Sequence, residues 1–120
     1  MDQVEAPKMY ILINKTLGLT PGKICAQAGH GIQDIVTIML NKKYRKKWKA
    51  FTSTGSTKIT LKVQTEEQLL DILQETEELT KACVVDEGRT QCPSGSLTAV
   101  VYAPLYPHEV PRLIKDLKLY

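Results

Sequence analysis

Short apolar runs alternate along the chain with segments whose apolar residues recur at helical spacing. Met9 to Ile13 is almost continuously apolar, as in a strand that is buried on both faces. Thr57 to Val63 alternates apolar and polar side chains, which predicts a half-exposed strand. Ala82 to Val85 and Leu97 to Ala103 are two further short apolar runs. The pattern therefore predicts four strands.

The segments between and after these runs have the spacing of amphipathic helices. A helix from about Gly22 to Leu40 would have Thr20 as its N-cap and Pro21 at its first position. A capping box, Thr65 to Gln68, predicts the start of another helix. Two shorter helices with the same spacing are predicted within residues 41–51 and 110–117.

The resulting order of elements, β-α-α-β-α-β-β-α, predicts the fold class. Two right-handed crossovers and a final hairpin give a mixed four-stranded sheet with helices on both faces. The fold class is therefore α/β, as a three-layer α/β/α sandwich. We expect residues 1–7 to form a flexible N-terminal extension and residues 8–120 to form one domain.

Polar residues follow the first and third predicted strands, whose carboxyl ends share one edge of such a sheet. A Lys in the first turn of a helix opposes the macrodipole. We therefore expect Lys23 to have an anionic partner, and Asp86 is the obvious candidate. Two plainer interpretations stay open, in which Asp86 only ties a turn and Lys23 is only solvated. The residues expected to face one cleft are Lys23, Gln27, His30, Asp86, Arg89, Thr90, Ser96 and Thr98.

The net charge of +3 hides an asymmetry between the two halves of the chain. Residues 1–62 hold 11 Lys and Arg against 3 Asp and Glu, and residues 63–120 hold 5 against 10. A polyanionic partner would therefore meet the first half. Six cations lie between 42 and 49, around three aromatic residues that would anchor a short helix. A solvated face and a nucleic-acid site are both consistent with this segment.

Several classes of site and location are disfavoured. The only two histidines, His30 and His108, have no partner at ligand spacing, so no metal is expected. The three cysteines are odd in number and widely spaced, which predicts buried or half-buried thiols in a reducing compartment rather than disulfides. No apolar run approaches the roughly 20 residues of a membrane span. We expect a soluble, cytoplasmic protein.

At its polar motifs the chain resembles the type 2 peptidyl-tRNA hydrolases of archaea and eukaryotes. The matching motifs, which cover residues 8–120 in order, are Gly22–Gln27 with His30, Asp86–Gln91, Gly95–Ser96 with Thr98, and Leu117–Tyr120. The resemblance implies a compact α/β/α domain that hydrolyses the ester between a peptide, or an N-blocked aminoacyl group, and the 3′ end of tRNA. It also implies tRNA recycling and ribosome rescue, frequent homodimers, and no organic cofactor. The active-site positions that it implies are Lys23, Gln27, His30, Asp86, Thr90, Gln91 and Thr98.

Ester hydrolysis needs an activated water, a stabiliser for the oxyanion and a proton for the leaving oxygen. Asp86 would orient Lys23 or accept a proton from water, and Lys23 would stabilise the oxyanion or protonate the ribose oxygen. The hydroxyls of Thr90 and Thr98, with Gln27, would position water or the carbonyl. Whether Lys23 acts as acid or base stays open, and His30 is either the titrating group or a support.

Substrate contacts are expected at the polar residues between the third and fourth predicted strands and at the basic segment, residues 42–49. For the basic segment, the resemblance favours the nucleic-acid site over the solvated face. The residues that would contact the tRNA backbone are Lys42, Lys43, Arg45 and Lys46. Arg89 would meet the acceptor-end phosphates, with Gln91 and Ser96 beside it. Two alternatives are an RNA-binding or protein-binding adaptor that retains the fold without catalysis, and an unrelated hydrolase of small molecules that uses the same cleft.

Overall fold

A computed structural model describes residues 5–86 and 95–120, and five strands in this part form one mixed sheet in the order β3-β4-β1-β2-β5. The central strand β1 pairs in parallel with β2 and antiparallel with β4, while β4 pairs antiparallel with β3, and β2 with β5. The strands are β1 Met9–Asn14, β2 Lys58–Val63, β3 Lys81–Val85, β4 Leu97–Tyr102 and β5 Lys118–Leu119.

In the described ranges, four α-helices cover the two faces of this sheet, which confirms the three-layer prediction. They are α1 Pro21–Met39, α2 Arg45–Ser53, α3 Glu66–Glu75 and α4 Arg112–Lys115. Ile35 of α1 and Phe51 of α2 are buried in a core on one face. Ile72 of α3 and Ile114 of α4 are buried in a second core on the other face. Residues of β1 and β4 contribute alternately to the two cores.

The prediction of four strands is wrong by one. The fifth strand, Lys118–Leu119, pairs with β2, and the Tyr120 N–H donates to the Thr60 carbonyl at 3.0 Å. A strand of two residues is too short to show a period in sequence. The last helix is also shorter than predicted, because the extended backbone of Val110 and Pro111 separates a 3₁₀ turn, Pro107–Glu109, from α4.

The predicted helix starts are confirmed, with one difference at α3. The Thr20 hydroxyl accepts from the Lys23 N–H at 3.4 Å, and Pro21 is the first residue of α1. The Thr65 hydroxyl accepts from the Gln68 N–H at 3.0 Å. The Gln68 side chain, however, accepts from the N–H of Gln64 at 2.9 Å, one residue earlier than a capping box requires.

Two cysteines are more exposed than predicted. Cys25, on α1, and Cys83, on β3, are free and exposed. In β3, Ala82 and Val84 are buried in the α1 core, whereas Cys83 and Val85 point to the opposite face. Val85 keeps 51% of its surface exposed there. Sequence alone did not show that the helices on that face leave the edge strand uncovered.

The N-terminal side of the described chain is tied to the domain. Pro7 is buried, and the backbones of Lys8 and Leu105 exchange two hydrogen bonds of 2.9 Å. The division at residue 8 stays a prediction. Among the helices described, none has the length and apolar character that crossing a membrane requires.

Helix α1 lies close to the sheet because of one small residue. Gly31 is buried, and a Cβ placed on it would overlap Val101 of β4 and come within 3.1 Å of Val84 Cγ2 of β3. A Cβ on Gly29, two residues earlier in the same helix, would meet nothing within 4 Å. The two glycines therefore differ in purpose, and only Gly31 sets the distance between α1 and the sheet.

We predict that Gly31→Ala and Gly29→Ala have effects of opposite sign on the free energy of unfolding. At Gly31 the added methyl group should push α1 away from the sheet and cost about 1–3 kcal/mol. At Gly29 the higher helix propensity of Ala should add about 0.5–1 kcal/mol. Urea denaturation of the two variants measures both values. Equal changes in the two variants would show that Gly31 does not set the packing distance.

Candidate active site

Several of the polar residues that the sequence predicted for the site lie at one edge of the sheet. Strands β1 and β3 end at this edge and β4 begins there, as the pairing of Ile13 and Val84 with Ala99 shows. A short 3₁₀ turn, Lys15–Leu17, and Gly18 at φ 60° lead from β1 into α1, so the start of α1 returns to the same edge. The topology therefore brings the N-terminus of α1 beside the ends of β3 and β4.

The first contact at this edge is an ion pair between α1 and the end of β3. Lys23 Nζ lies 3.1 Å from Asp86 Oδ2, with the Lys23 side chain 20% exposed and the Asp86 side chain 1% exposed. Asp86 points at α1 because it continues the alternation of Ala82 and Val84. A carboxylate with so little solvent needs a charged partner, and Lys23 supplies it.

The backbone of Asp86 is fixed as firmly as its side chain. Its N–H donates to the Ser96 carbonyl at 2.9 Å, and its carbonyl accepts from the Gly95 N–H at 2.7 Å. Gly95 has φ 86°, in the region that favours glycine. These bonds join the residues on either side of positions 87–94, which lie outside the described residues. The predicted site residues Arg89, Thr90 and Gln91 fall among those positions.

The second contact is a chain of two hydrogen bonds between uncharged groups, from Gln27 to Thr98 and from Thr98 to the Val84 carbonyl. We call it the neutral relay, because each bond fixes the direction of the next. The Thr98 hydroxyl lies 3.0 Å from the Val84 carbonyl, which can only accept, so the hydroxyl donates to it. The oxygen of Thr98 then accepts from Gln27 Nε2 at 3.0 Å. The amide group of Gln27 must therefore turn its NH₂ toward Thr98 and its carbonyl oxygen away. Thr98 is fully buried and Gln27 is 6% exposed, so Thr98 orients Gln27 from behind.

A β-bulge explains why Thr98 faces α1. Val84 pairs with Ala99 and Val85 pairs with Leu97, so Thr98 is the extra residue between two pairs. Ala99 and Val101 face α1, and strict alternation would turn Thr98 to the opposite face with Val100. The bulge instead puts Thr98 and Ala99 on the same face. Bulges beside active sites re-aim side chains in this way.

His30 lies three residues after Gln27 on the same row of α1, and it is exposed. Its side chain makes no hydrogen bond or ion pair with another residue in the described part of the chain. The structure thus brings Lys23, Gln27, Asp86, Ser96 and Thr98 together through direct contacts. His30 is their neighbour only through its place on the helix.

Asn14 is a polar residue at this edge that the sequence reasoning missed. It is the last residue of β1, 3% exposed, and its Nδ2 donates to the Leu97 carbonyl at 2.9 Å. Its Oδ1 accepts from the N–H of Thr16 at 3.1 Å and from its hydroxyl at 2.6 Å. The available signal was a polar residue that ends an otherwise apolar strand.

Among the residues described, no group of three or more His, Cys, Asp or Glu has the arrangement of a metal site.

The basic segment, residues 42–49, lies at the other end of α1. Lys23 and Met39 are roughly 24 Å apart along the helix at 1.5 Å per residue, and the segment follows Met39. Its aromatic residues anchor it as predicted: Phe51 is buried, and Tyr44 and Trp48 pack against the same core. The four predicted tRNA contacts are exposed: Lys42, Lys43, Arg45 and Lys46.

Lys47 is the cation of this segment that turns inward. Its Nζ lies 2.6 Å from Glu109 Oε1 and 5.4 Å from the centre of the Tyr106 ring. Burial raises the pKa of Glu109, but hydrogen bonds from Lys47 and from the Tyr106 N–H outweigh it and hold the pKa below its usual 4.5. Lys47 therefore holds α2 on the Pro107–Glu109 turn and is not a free phosphate ligand.

Comparisons with known proteins agree with this arrangement of fold and motifs. The family model described as Peptidyl-tRNA hydrolase PTH2 matches residues 7–120. A probable peptidyl-tRNA hydrolase 2 of Dictyostelium discoideum is 38% identical over 117 residues, which are 94% of this chain and 54% of that protein. A peptidyl-tRNA hydrolase of Methanocaldococcus jannaschii is 34% identical over 117 residues, which are 93% of this chain and 98% of the relative.

A third relative, a peptidyl-tRNA hydrolase of Methanococcus maripaludis, is 36% identical over 112 residues, covering 91% of this chain and 95% of the relative. The chain thus spans about half the length of the Dictyostelium protein and nearly all of the two archaeal proteins. The family match includes every residue of the two contacts at the sheet edge. The chain belongs to the peptidyl-tRNA hydrolase PTH2 family.

Proposed function

We propose that the Lys23–Asp86 pair and the Gln27–Thr98 pair form the centre at which this chain hydrolyses peptidyl-tRNA. Its family supplies the reaction, which belongs to the carboxylic ester hydrolases. The bond cleaved joins a peptide, or an N-blocked aminoacyl group, to the 3′ end of tRNA, and the products are free tRNA and the acid. The observation that carries the proposal is a first-turn Lys in contact with a nearly dehydrated carboxylate.

The ion pair assigns different tasks to its two members. Lys23 keeps 20% of its side chain exposed, so its ammonium group can donate to Asp86 and also to a substrate oxygen. A cation held in this way stabilises the oxyanion of the tetrahedral intermediate or protonates the leaving ribose oxygen. Asp86, at 1% exposure, is suited to hold Lys23 in place rather than to exchange protons with bulk water. We therefore assign Asp86 the positioning task.

The neutral relay supplies a fixed acceptor beside this cation. The NH₂ of Gln27 is held by Thr98, so the carbonyl oxygen of the amide is turned away from the Thr98 hydroxyl. That oxygen can accept a hydrogen bond from the attacking water and orient it. Thr98, being fully buried, acts through Gln27. The roles of Thr90 as a water ligand and of His30 as a titrating group stay predictions.

The basic segment is suited to a contact far from the ester. Four exposed cations follow the end of α1, whose last residue lies roughly 24 Å along the helix from Lys23, so they would meet backbone phosphates of the tRNA rather than its 3′ end. Contacts of Arg89, Gln91 and Ser96 with the acceptor end stay predictions. So do a homodimer, a cytoplasmic location and a role in ribosome rescue.

The direct test of this function uses N-acetylated aminoacyl-tRNA, with unblocked aminoacyl-tRNA for comparison. The wild-type chain should release tRNA from the blocked substrate. Lys23→Ala should lower kcat about 10²–10³-fold, as the loss of an oxyanion donor does. Asp86→Ala should lower kcat as well, because it frees the ammonium group. Lys15→Ala, which removes an exposed cation at the same edge, is the matched control and should retain the rate.

Two outcomes would contradict this proposal separately. A wild-type chain that releases tRNA no faster than buffer would exclude hydrolysis of the ester. Full activity in Asp86→Ala, with hydrolysis by the wild type intact, would exclude the ion pair as part of the centre.

A second prediction separates the hydroxyl of Thr98 from its volume. Thr98→Val keeps the shape but leaves Gln27 Nε2 and the Val84 carbonyl unpaired, so the amide should lose its fixed orientation. We expect kcat to fall by roughly 10²-fold, as misplacement of a reacting group does, while Thr98→Ser should restore most of the rate. Steady-state kinetics of the three proteins decide the matter. A Thr98→Val protein as active as Thr98→Ser would show that the relay has no role.

The third prediction concerns the basic segment. Changing Lys42, Lys43, Arg45 and Lys46 together to Ala should weaken tRNA binding and flatten its salt dependence. The slope of log K against log salt should shrink by about 0.7–0.9 for each phosphate that the variant no longer neutralises. Changing Lys115 and Lys118, which are exposed cations elsewhere on the domain, is the control. Binding unchanged at low and at high salt in the fourfold variant would exclude this segment as a tRNA contact.

A further inference from the structure

Asn14 connects three elements at the edge that carries the site. It ends β1, donates from Nδ2 to the Leu97 carbonyl of β4 at 2.9 Å, and lies 3.4 Å from Glu66 Oε1 at the start of α3. Its Oδ1 accepts two hydrogen bonds from Thr16. All the polar atoms of this buried side chain thus have partners. A single polar side chain joins the central strand to the first residue of the strand that bears Thr98.

The hydrogen bond from the Asn14 side chain to the Leu97 carbonyl connects β1 to β4 beyond the last backbone pair of these two strands. The last backbone pair of these strands is Ile13 with Ala99. On the other side of β4, the bulge breaks the regular pairing with β3 between Ala99 and Leu97. The Leu97–Thr98 step therefore lacks regular pairing on both sides. The Asn14 side chain anchors the far end of this step.

We infer that Asn14 is a positioning residue for hydrolysis: by holding the Leu97 carbonyl it fixes the bulge that aims Thr98 at Gln27. The inference rests on the proposed function of the Gln27–Thr98 relay. Without this anchor, the step can relax toward regular alternation, which would turn Thr98 to the α3 face with Val100. Gln27 would then lose the acceptor that orients its amide.

A purely structural role for Asn14 would give a different pattern of effects. Asn14 also caps the turn Lys15–Leu17, which leads into α1. Thr16→Val removes the 2.6 Å bond from the Thr16 hydroxyl but keeps the bond from Asn14 to Leu97. If Asn14 acts mainly through the Thr16 hydroxyl, Thr16→Val should lower kcat as Asn14→Ala does, and if it acts through the cap that accepts from the Thr16 N–H, Asn14→Asp should keep the rate. If it acts through the bulge, Thr16→Val should keep the rate.

A matched control for lost stability is present on the same strand. At the other end of β4, the Tyr102 hydroxyl lies 2.9 Å from the Thr76 hydroxyl, and both residues are fully buried. Tyr102→Phe removes that bond far from the site. It should lower the free energy of unfolding, as Asn14→Ala does, without touching the relay.

The experiment compares kcat and KM for N-acetylated aminoacyl-tRNA at a temperature where every variant is folded. We expect Asn14→Ala to lower kcat at least about tenfold with little change in KM, while Tyr102→Phe and Thr16→Val stay within about twofold of the wild type. If Asn14→Ala does not fold, Asn14→Asp keeps the acceptor for Thr16 and removes the donor to Leu97, and it should show the same loss. A full rate in the folded variant, or an equal loss in Thr16→Val, would overturn the inference.

A spectroscopic readout separates this inference from the proposed function. In ¹⁵N–¹H spectra, Asn14→Ala should shift the side-chain amide resonances of Gln27 and the backbone amide resonance of Thr98, and Tyr102→Phe should leave both in place. Unmoved resonances in Asn14→Ala would overturn the role of Asn14 even in an active enzyme. A wild-type chain without hydrolytic activity would overturn the proposed function, while the spectra would still decide whether Asn14 holds the bulge.

Discussion

The contact between α1 and the sheet is the constraint on which the site depends. Gly31 has no side chain, and Val101 and Val84 fill the space that a methyl group would occupy. Because α1 lies this close to β3 and β4, its first two turns reach groups at the ends of those strands. Lys23 meets Asp86, and Gln27 meets Thr98, across the same gap. A wider gap would separate both pairs at once.

The two pairs differ in charge and in the way each is held. The ion pair is asymmetric, since the ammonium group of Lys23 is partly exposed and the carboxylate of Asp86 is not. The neutral pair is directional, since the Val84 carbonyl fixes the Thr98 hydroxyl and thereby the amide of Gln27. Ester hydrolysis uses both kinds of group, a cation for developing negative charge and an oriented acceptor for water. The basic segment follows the far end of α1, so the phosphate contacts proposed for it would leave both pairs undisturbed.

The sequence predicted those parts of the structure that follow from period and topology. The pairing of Lys23 with Asp86 was foreseeable, because a cation at a helix N-terminus is unfavourable alone and both residues follow parallel strands that end at one edge. Thr98 was expected at this edge from topology, but its turn toward α1 did not follow from the alternation of β4, because a bulge cancels the alternation from which faces are inferred. The two-residue strand Lys118–Leu119 gave no periodic signal. Asn14 follows the apolar run from Met9 to Ile13, and its role could not be read from local pattern, because its partner at Leu97 is 83 positions away in the chain.

The central claim is that Lys23 and Asp86 act as one unit in ester hydrolysis. A double-mutant cycle in kcat/KM tests it most directly, using Lys23→Ala, Asp86→Ala and the double variant on N-acetylated aminoacyl-tRNA. If Asp86 works by holding Lys23, the double variant should be about as slow as Lys23→Ala alone. Losses that multiply in the double variant would show that the two residues act independently and would contradict the account.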